Sequence, residues 1–361
     1  MPLVPPERSF YPADQNDRQL CAVGYSGPIE VDPPEDLCAT RCRPMGRNVA
    51  RHSHIGASKV VAVLISLLIM KFGLSLRNTG AGSSLQAIEA GAETAERLGW
   101  ESVWTTDHVL VPHSAATEYG RTFEAIATLA WVGARHSRLR LGTSVIVVPQ
   151  RNAVLLAKEL ATVDVLSEGR LIAGVGIGWN ETEFANLGMA DRFHRRGAYL
   201  DETIGLWRHL WSGSSDSFEG DFHAFRDFVF GPLPVQGERL PVVVGGSSAA
   251  ALRRAGALGD GYQSTRATPD EYAERIPILR AAADAAGRPM PWLSARVPVA
   301  TERRNDDLSL ADPEGMRRRI RAFESVGVEQ LVLVFEATDP AKLSSALEFF
   351  DAEVVKALAA P

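Results

Sequence analysis

Cysteine is rare in this sequence and absent from most of its length. All three cysteines (Cys21, Cys38 and Cys42) lie among the first 42 of the 361 residues. The remainder of the chain therefore has no disulfide framework, and a reducing cytoplasm is the expected location. No second cysteine or histidine pair follows Cys38 and Cys42 at zinc-site spacing, so the sequence predicts no metal site.

A strong excess of one charge is also lacking. The formal net charge is -6, and charged residues make up 23% of the chain. Proteins that bind nucleic acids or anionic membrane surfaces usually concentrate positive charge, so we expect neither as a partner. Hydrophobic residues make up 45% of the chain, which is sufficient for the large core of a globular protein.

The N-terminal part lacks any helical or strand period. Residues 1–58 hold eight of the 21 prolines, a composition typical of a disordered leader. The apolar run from Val60 to Met70 has eleven residues, short of the roughly 20 that a membrane helix needs. It also lies too far from the N-terminus for a signal peptide. We therefore expect residues 1–69 to be a disordered or non-native extension and residues 70–361 to be the functional domain.

Several motifs of well-known catalytic centres are missing. The sequence has no G-x-S-x-G elbow and no G-x-x-x-x-G-K-[ST] phosphate loop. Glycines at 174, 176 and 178 do not have the dinucleotide-binding G-x-G-x-x-G spacing, because Trp179 and Glu181 occupy the places that a third glycine would need. These absences favour chemistry supplied by an organic cofactor rather than by a metal or an acyl-enzyme.

From Met70 onward, short apolar runs alternate with amphipathic segments of helix length. This alternation is typical of parallel strands joined by helical crossovers, and its eightfold repetition predicts a (β/α)8 TIM barrel. A doubly wound open sheet is the alternative. An insertion at 215–234, after the fourth strand-helix unit, is expected to form extended pieces around Glu219-Gly220-Asp221. Strands are predicted at 71–76, 102–109, 139–148, 170–178, 241–246, 261–265, 292–300 and 330–335, and helices at 85–98, 122–134, 153–166, 248–258, 271–286, 314–326 and 341–358.

In a TIM barrel the C-terminal ends of the strands carry the chemistry, and the second strand ends in Asp107 and His108. Neighbouring side chains on a strand point to opposite faces, so both cannot enter one pocket unless the strand frays. One interpretation places His108 in the site, with Asp107 fixing the loop or orienting a ring nitrogen. The alternative makes Asp107 a loop cap and His108 a surface residue.

The fifth strand runs through glycines and serines directly into a helix. The glycine pair allows a ligand to approach the backbone closely. Either serine can cap the helix, whose free N–H groups attract a phosphate; an ordinary tight turn with a serine cap is the alternative. The end of the fourth strand is a similar candidate for contact with a flat ring or a phosphate tail. The residues concerned are Gly245, Gly246, Ser247 and Ser248 on the fifth strand end and Gly176, Gly178, Trp179 and Asn180 on the fourth.

Three segments of the chain resemble one known family. They read "VWTTDHVL", "YGRTFEAIATLAWVGARHSRLRLGTSVIVVPQRNAVLLAKELATVDVLSEGRLIAGVGIGWNETEF" and "VVVGGSSAAALRRAGALGDGY". They resemble the luciferase-like oxidoreductases and, within these, the actinobacterial branch that uses the deazaflavin coenzyme F420. The resemblance covers about residues 70–340. It implies a (β/α)8 barrel, often a homodimer, that holds a flavin or deazaflavin at its C-terminal rim.

The resemblance also implies roles for residues by position. His108 is expected beside the deazaflavin ring. Ser144 and Val145 are expected to form a bulge on the third strand that backs the ring, often with a non-proline cis peptide between them. Thr143, directly before the bulge, is also expected to bind the cofactor. The ribityl-phosphate part is expected to lie against the segments from Gly176 to Asn180 and from Gly245 to Ser248.

The activity implied is hydride transfer between coenzyme F420 and a small organic substrate, with His108 hydrogen-bonding or relaying a proton. An FMN-dependent monooxygenase on the same fold and a catalytically silent cofactor-binding barrel are the alternatives. Substrate choice is expected to depend on the 110–120 loop, the insertion at 215–234 and the ends of the seventh and eighth strands. Arg296 and Glu336 are the charged candidates at those two ends.

Overall fold

The structure of the protein, a computed structural model, describes residues 70–302 and 308–359. The predicted leader, together with the apolar run up to residue 69, lies outside the described residues. The expectation that residues 1–69 are a disordered or non-native extension therefore stays a prediction.

Eight parallel strands form the central sheet: β1 (Lys71–Ser75), β2 (Ser102–Thr105), β3 (Arg140–Thr143), β4 (Leu171–Gly176), β5 (Val242–Gly245), β6 (Gly261–Thr265), β7 (Trp292–Ala300) and β8 (Val328–Phe335). Each strand pairs with the next in chain order, and β8 pairs back with β1, where Leu331 lies opposite Phe72. The predicted barrel is therefore confirmed. The open doubly wound sheet is wrong, because such a sheet would leave two edge strands unpaired.

Further short strands accompany the barrel. Ile146–Val147 pairs with β4, and Leu308–Ser309 pairs with β7. In the insertion, Phe218–Glu219 and Ala224–Phe225 form an antiparallel hairpin around Gly220 and Asp221. The extended pieces predicted for the insertion are confirmed, and so is its place after the fourth strand-helix unit.

A helix follows each barrel strand: α1 (Leu85–Arg97), α2 (Ala125–Arg135), α3 (Ala153–Leu166), α4 (Arg196–Trp211), α5 (Ala249–Leu258), α6 (Pro269–Ala285), α7 (Pro313–Ser325) and α8 (Pro340–Phe350). Short helical turns lie at His113–Ala115, Ala116–Tyr119, Val148–Gln150, Glu181–Asn186, Ala190–Arg195, Gly237–Arg239, Asp351–Val355 and Lys356–Ala359. A side chain caps the first turn of every barrel helix except α4. Such caps explain the helix starts, because they satisfy N–H groups that have no partner within the helix.

Helix α4 was not predicted from the sequence. The hairpin of the insertion covers its outer side, where His209 contacts Phe218 and Tyr199 contacts Phe222. Because this outer side is covered as well as the side facing the barrel, apolar residues are spread around the helix. The one-sided apolar stripe that reveals a surface helix is therefore weak.

The barrel interior is packed around Trp104, whose side chain is fully buried. A Cβ atom on Gly142 would lie 2.3 Å from Cε3 of this indole, and one on Gly73 would lie 2.8 Å from its Nε1. Both positions must therefore be glycine for the ring to fit. Replacing a buried tryptophan with alanine typically costs about 3–5 kcal/mol. The cluster around Trp104 also contains Ile172, Val243, Val332 and, at its edge, Trp292.

The hairpin of the insertion is tied to α4 through one carboxylate. Glu202 accepts hydrogen bonds from the backbone N–H groups of Asp221, Phe222 and His223 at 2.6–3.1 Å. It also lies 2.9 Å from Nδ1 of His223. These contacts place the hairpin on the outer side of α4 and give no support to the expectation that it selects the substrate.

Candidate active site

Asp107 and His108 follow β2 at the mouth of the barrel, the end formed by the last residues of the eight strands and the loops after them. Strand β2 ends at Thr105 rather than at the predicted Val109. Beyond Thr105 a side chain replaces the neighbouring strand as the hydrogen-bond partner, because Oδ1 of Asn78 accepts from the Thr106 N–H at 2.9 Å. Regular strand pairing therefore ends before Asp107 and His108, the two candidate site residues.

Asp107 holds the loop that follows β3. Its Oδ2 accepts from the Val147 N–H at 2.9 Å, and its Oδ1 accepts from the guanidinium of Arg151 at 2.7 Å. The interpretation that Asp107 fixes loop geometry agrees with these contacts. The described hydrogen bonds of Asp107 do not reach the His108 ring and give no support to a catalytic role for this carboxylate.

His108 is oriented by Glu183, a residue that the sequence analysis did not identify. Oε2 of Glu183 lies 3.0 Å from Nδ1 of His108, and its Oε1 accepts from the Val109 N–H at 2.7 Å. Burial raises the pKa of the Glu183 carboxyl, but the hydrogen bonds from His108 and Val109 outweigh burial and hold this pKa below its ordinary value. An ionised carboxylate can only accept, so Nδ1 donates and carries the proton.

The short helix Glu181–Asn186 places Glu183 against the histidine. Asn180 caps this helix by accepting from the Glu183 N–H at 3.2 Å. The pattern Asn-x-x-Glu is readable in the sequence, where it normally indicates a capping box in which the glutamate returns to the cap residue. Here the glutamate reaches His108 instead. The predicted site residue Asn180 thus acts within the protein by setting the start of this helix.

Two aromatic rings adjoin His108 at the mouth. The Tyr119 ring lies 4.0 Å from the His108 ring between centroids, and the Trp179 ring lies 6.2 Å away. Trp179 is 59% exposed and therefore faces the solvent. Burial, with a hydrogen bond to Glu118, raises the pKa of Tyr119 to about 12, so its phenol remains protonated. The 110–120 loop thus brings a phenol to the histidine, and its expected part in substrate choice stays a prediction.

The segment Thr143, Ser144 and Val145 forms a bulge between β3 and the following short strand. The Thr143 hydroxyl donates to the Gly174 carbonyl at 2.7 Å, and the Ser144 N–H donates to the Thr105 carbonyl at 2.7 Å. The peptide bond between Ser144 and Val145 is cis, as the resemblance implied.

The Val145 side chain lies against Gly176 and Gly245. A Cβ on Gly176 would approach a Val145 methyl to 2.4 Å, and a Cβ on Gly245 would approach the other methyl to 2.7 Å. These two glycines therefore make room for a valine of the protein itself. The sequence analysis expected a ligand, rather than a side chain of the protein, to lie against the backbone of these glycines.

The turn between β5 and α5 contains the predicted serine cap. Ser248 accepts from the Ala251 N–H at 3.2 Å and is the cap residue, while Ser247 is exposed. Gly246 has a φ of 131°, a backbone conformation that favours glycine. Gly178, on the β4 side of the mouth, also has a positive φ of 72°. The turn leaves the first N–H groups of α5 at the mouth, where such groups attract anions.

A chain of buried side chains connects the bulge to the barrel interior. The Ser144 hydroxyl donates to Oε1 of Gln263 at 2.5 Å, and Nε2 of Gln263 donates to the Ser294 hydroxyl at 3.1 Å. Ser294 donates to Gln330 at 3.3 Å, and Gln330 donates to Ser102 at 2.9 Å. The sequence analysis did not identify Gln263, because a single polar residue within a predicted strand does not indicate which side chain it contacts.

Arg296 on β7 also reaches into the mouth. Its Nη2 donates to the hydroxyls of Ser75 at 3.1 Å and Thr106 at 3.2 Å, at the ends of β1 and β2. Glu336, the other charged candidate, accepts from the Thr301 N–H at 3.3 Å. Of these two candidates, Arg296 is therefore the one placed near the residues around His108.

Residues 70–302 and 308–359 contain no cluster of three or more histidine, cysteine, aspartate or glutamate side chains arranged to hold a metal ion. Within the same residues, no helix combines the length and the apolar character needed to span a membrane.

The sequence pattern of the luciferase-like monooxygenases matches residues 70–313 of the chain. The chain belongs to the luciferase-like monooxygenase family. Its curated relatives in that family include an F420-dependent glucose-6-phosphate dehydrogenase of Segniliparus rotundus, which is 30% identical over 71% of this chain and 82% of the relative. Another, of Kineococcus radiotolerans, is 34% identical over 55% of this chain and 58% of the relative. That second match spans less than two thirds of the relative's length.

Two solved structures share the fold of this chain. An F420-dependent secondary alcohol dehydrogenase, in complex with an F420-acetone adduct, has a TM-score of 0.68 at 18% identity over 80% of this chain and 99% of that chain. The oxygenating constituent of 3,6-diketocamphane monooxygenase of Pseudomonas putida, in complex with FMN, has a TM-score of 0.67 at 15% identity over 81% of this chain and 100% of that chain. Identities this low establish the shared fold alone.

Proposed function

We propose that this protein binds coenzyme F420 at the mouth of its barrel and transfers a hydride between the cofactor and a small organic substrate. The curated relatives at 30–34% identity are named as F420-dependent dehydrogenases. The observation that carries the proposal is the His108–Glu183 pair at the mouth. In this pair the proton of His108 has a defined position on Nδ1. The chain belongs to the luciferase-like family, and its curated relatives are named as F420-dependent.

The residues at the mouth fit a flat ring with a phosphate tail. Val145, seated on the small residues Gly176 and Gly245, offers an apolar backing at the strand ends. The first N–H groups of α5, beyond Gly246 and Ser247, offer donors to a phosphate. When bound, the deazaflavin supplies a ring carbon that accepts or releases a hydride.

His108 manages the proton that accompanies the hydride. With Nδ1 donating to Glu183, the other ring nitrogen, Nε2, is left to accept a proton from a substrate hydroxyl during oxidation. In reduction, His108 returns the proton to the new hydroxyl. Nε2 has no hydrogen-bond partner among the residues that the structure describes, so it is available for this exchange.

Titration of the purified protein with F420 and separately with FMN tests the cofactor. We expect micromolar binding of F420, measured by its fluorescence, and weaker binding of FMN. Micromolar binding of FMN alone would favour the monooxygenase alternative. Binding of F420 without turnover of any alcohol or sugar would favour the catalytically silent barrel.

The family resemblance also suggests a homodimer that works in the cytoplasm on a small-molecule substrate. Light scattering on the full chain would measure the mass, and a value near 39.1 kDa would contradict the dimer. Fractionation of cells that express the native gene would test the location.

A further inference from the structure

Arg296 carries a positive charge that no described carboxylate neutralises. Its partners, the hydroxyls of Ser75 and Thr106, are neutral. Ion pairs within 4.0 Å are found for other arginines of the described residues, but none involves Arg296. Its Nε is buried and has no hydrogen-bond partner. A largely enclosed cation without an opposite charge beside it is costly, so Arg296 calls for an explanation.

The side chain of Arg296 is held among protein atoms near the ends of β1 and β2. Protein atoms surround the guanidinium, and burial, the largest influence on its pKa, lowers this pKa from the ordinary value. The side chain nevertheless keeps part of its surface accessible to solvent. An arginine remains protonated in such a place. A ligand entering the mouth from solvent can therefore reach this cation.

No carboxylate of the described residues forms an ion pair with Arg296, although other titratable groups lie near it. Tyr119, a neutral phenol, and Arg266, a second cation, both lie close enough to influence the pKa of Arg296. Glu118 has a weaker influence on the pKa of Arg296 and also raises the pKa of Tyr119. Arg266 directly follows β6, the neighbour of β7. The Arg266 N–H donates to the Arg296 carbonyl at 2.9 Å, so two arginines adjoin each other at this side of the mouth.

Arg296 lies on the strand across the barrel from the residues proposed to back the cofactor ring. In a closed barrel of eight strands, β7 lies opposite β3, the strand whose bulge carries Val145. A ring backed by Val145 therefore leaves the side of β7, β8 and β1 for the substrate. Thr106, which Arg296 contacts, lies two residues before His108. A substrate on this side can thus meet both the arginine and the histidine.

We propose that Arg296 binds a carboxylate or phosphate group of the substrate and so makes the enzyme selective for anionic hydroxy compounds. This inference rests on the proposed function, because it assigns the substrate side of the same mouth. The anionic group lies at Arg296 while the hydroxyl to be oxidised lies at Nε2 of His108. A guanidinium suits both anions, since its planar donors match their oxygen atoms.

The experiment compares the wild-type full chain with Arg296→Gln and Arg280→Gln. Glutamine removes the charge at Arg296 but keeps donors for Ser75 and Thr106. Arg280 is exposed on α6, so its variant controls for the loss of one positive charge elsewhere. The substrates are two matched pairs, lactate with propan-2-ol and glucose 6-phosphate with glucose. One member of each pair is anionic and the other is neutral.

Two readouts keep this proposal separate from the proposed function. Calorimetry with the cofactor-free protein measures binding of inorganic phosphate and lactate, and steady-state kinetics measures F420 reduction. We expect the wild type and Arg280→Gln to prefer the anionic member of one pair at least about tenfold, and Arg296→Gln to lose that preference and the calorimetric binding.

An anion preference that survives in Arg296→Gln would overturn the proposal, as would a wild type that binds neither anion. A variant that loses F420 affinity but keeps its substrate preference would also overturn it, by assigning Arg296 to the cofactor. If the wild type fails to bind F420 but loses anion binding with Arg296→Gln, the proposed function fails while the anion site stands.

Discussion

Oε2 of Glu183 lies 3.0 Å from Nδ1 of His108, and both side chains are buried. The other oxygen of the carboxylate accepts from the Val109 N–H at 2.7 Å. Glu183 therefore holds two donors at once. This arrangement sets the ring orientation and the tautomer of the histidine, and with them the nitrogen left for the substrate.

Replacing Glu183 with glutamine should impair catalysis more than cofactor binding. A glutamine has one accepting oxygen, so it cannot serve both His108 and Val109. If its amide N–H donates to Nδ1, the histidine proton moves to Nε2, which can then no longer accept a proton. We expect kcat to fall about 100-fold, within the usual range for general-base catalysis. Stopped-flow measurement of F420 reduction would show the loss.

The matched control for this variant is Glu181→Gln on the same short helix. The side chain of Glu181 is 63% exposed and lies 3.7 Å from His194. Its replacement should leave kcat within about twofold, as expected for a surface substitution. Equal losses in the two variants would indicate that the helix, rather than the carboxylate of Glu183, matters.

The same carboxylate should make folding stability depend on pH. The pKa of Glu183 is lowered in the folded protein by its hydrogen bonds, which outweigh the effect of burial. A lowered pKa contributes stability above the unfolded value of about 4.3, and this contribution is lost as the pH falls through the folded value. The difference in unfolding free energy between wild type and Glu183→Gln should therefore shrink below about pH 4.3. Urea denaturation across the acid range would measure it, and a constant difference would contradict the prediction.

Replacing Gly176 with alanine should displace Val145. The new Cβ would lie 2.4 Å from a Val145 methyl, so that side chain must move. We expect F420 affinity to fall about tenfold, equivalent to ~1.4 kcal/mol. Adding Val145→Ala should restore part of the affinity, because only the Cβ of residue 145, at 3.5 Å, would remain near the alanine. Fluorescence titration would compare the three proteins.

Gly205→Ala provides the control for a glycine substitution. Gly205 lies within α4, and nothing lies within 4 Å of a Cβ added there. Alanine should therefore leave F420 affinity unchanged and stabilise the helix by up to about 1 kcal/mol. A loss of affinity with Gly205→Ala equal to that with Gly176→Ala would refute the role given to Val145.

Ser144 and Gln263 should be energetically coupled. Gln263→Leu leaves the hydroxyls of Ser144 and Ser294 without this partner inside the protein, which should cost about 1–3 kcal/mol. Adding Ser144→Ala removes one of the stranded hydroxyls. The double variant should therefore lose at least about 0.5 kcal/mol less than the sum of the single losses. Urea denaturation of the four proteins gives this coupling, and strict additivity would show that the hydrogen bond contributes nothing.

Much of the fold could be predicted because each barrel unit repeats the same pattern of burial. The predicted bounds of β6 and β7, 261–265 and 292–300, agree with the structure, and so do those of α3. Errors arise where side chains interrupt this pattern. Asn78 ends β2 early, and the Ser144–Val145 bulge divides the predicted third strand. Helix α4 was not predicted because the insertion covers its outer side, so the helix lacks a clear one-sided apolar stripe.

The sequence by itself determined the order of strands and helices, the strand ends that hold His108, Ser144 and Gly245, and the family. These follow from local periodicity and from short motifs, which depend on neighbours along the chain. Only the tertiary structure decided which side chains meet. His108 and Glu183 are 75 residues apart, and Ser144 and Gln263 are 119 apart. Such pairs depend on strand register and loop paths, because burial patterns specify which face of a segment is inside but not which partner it contacts there.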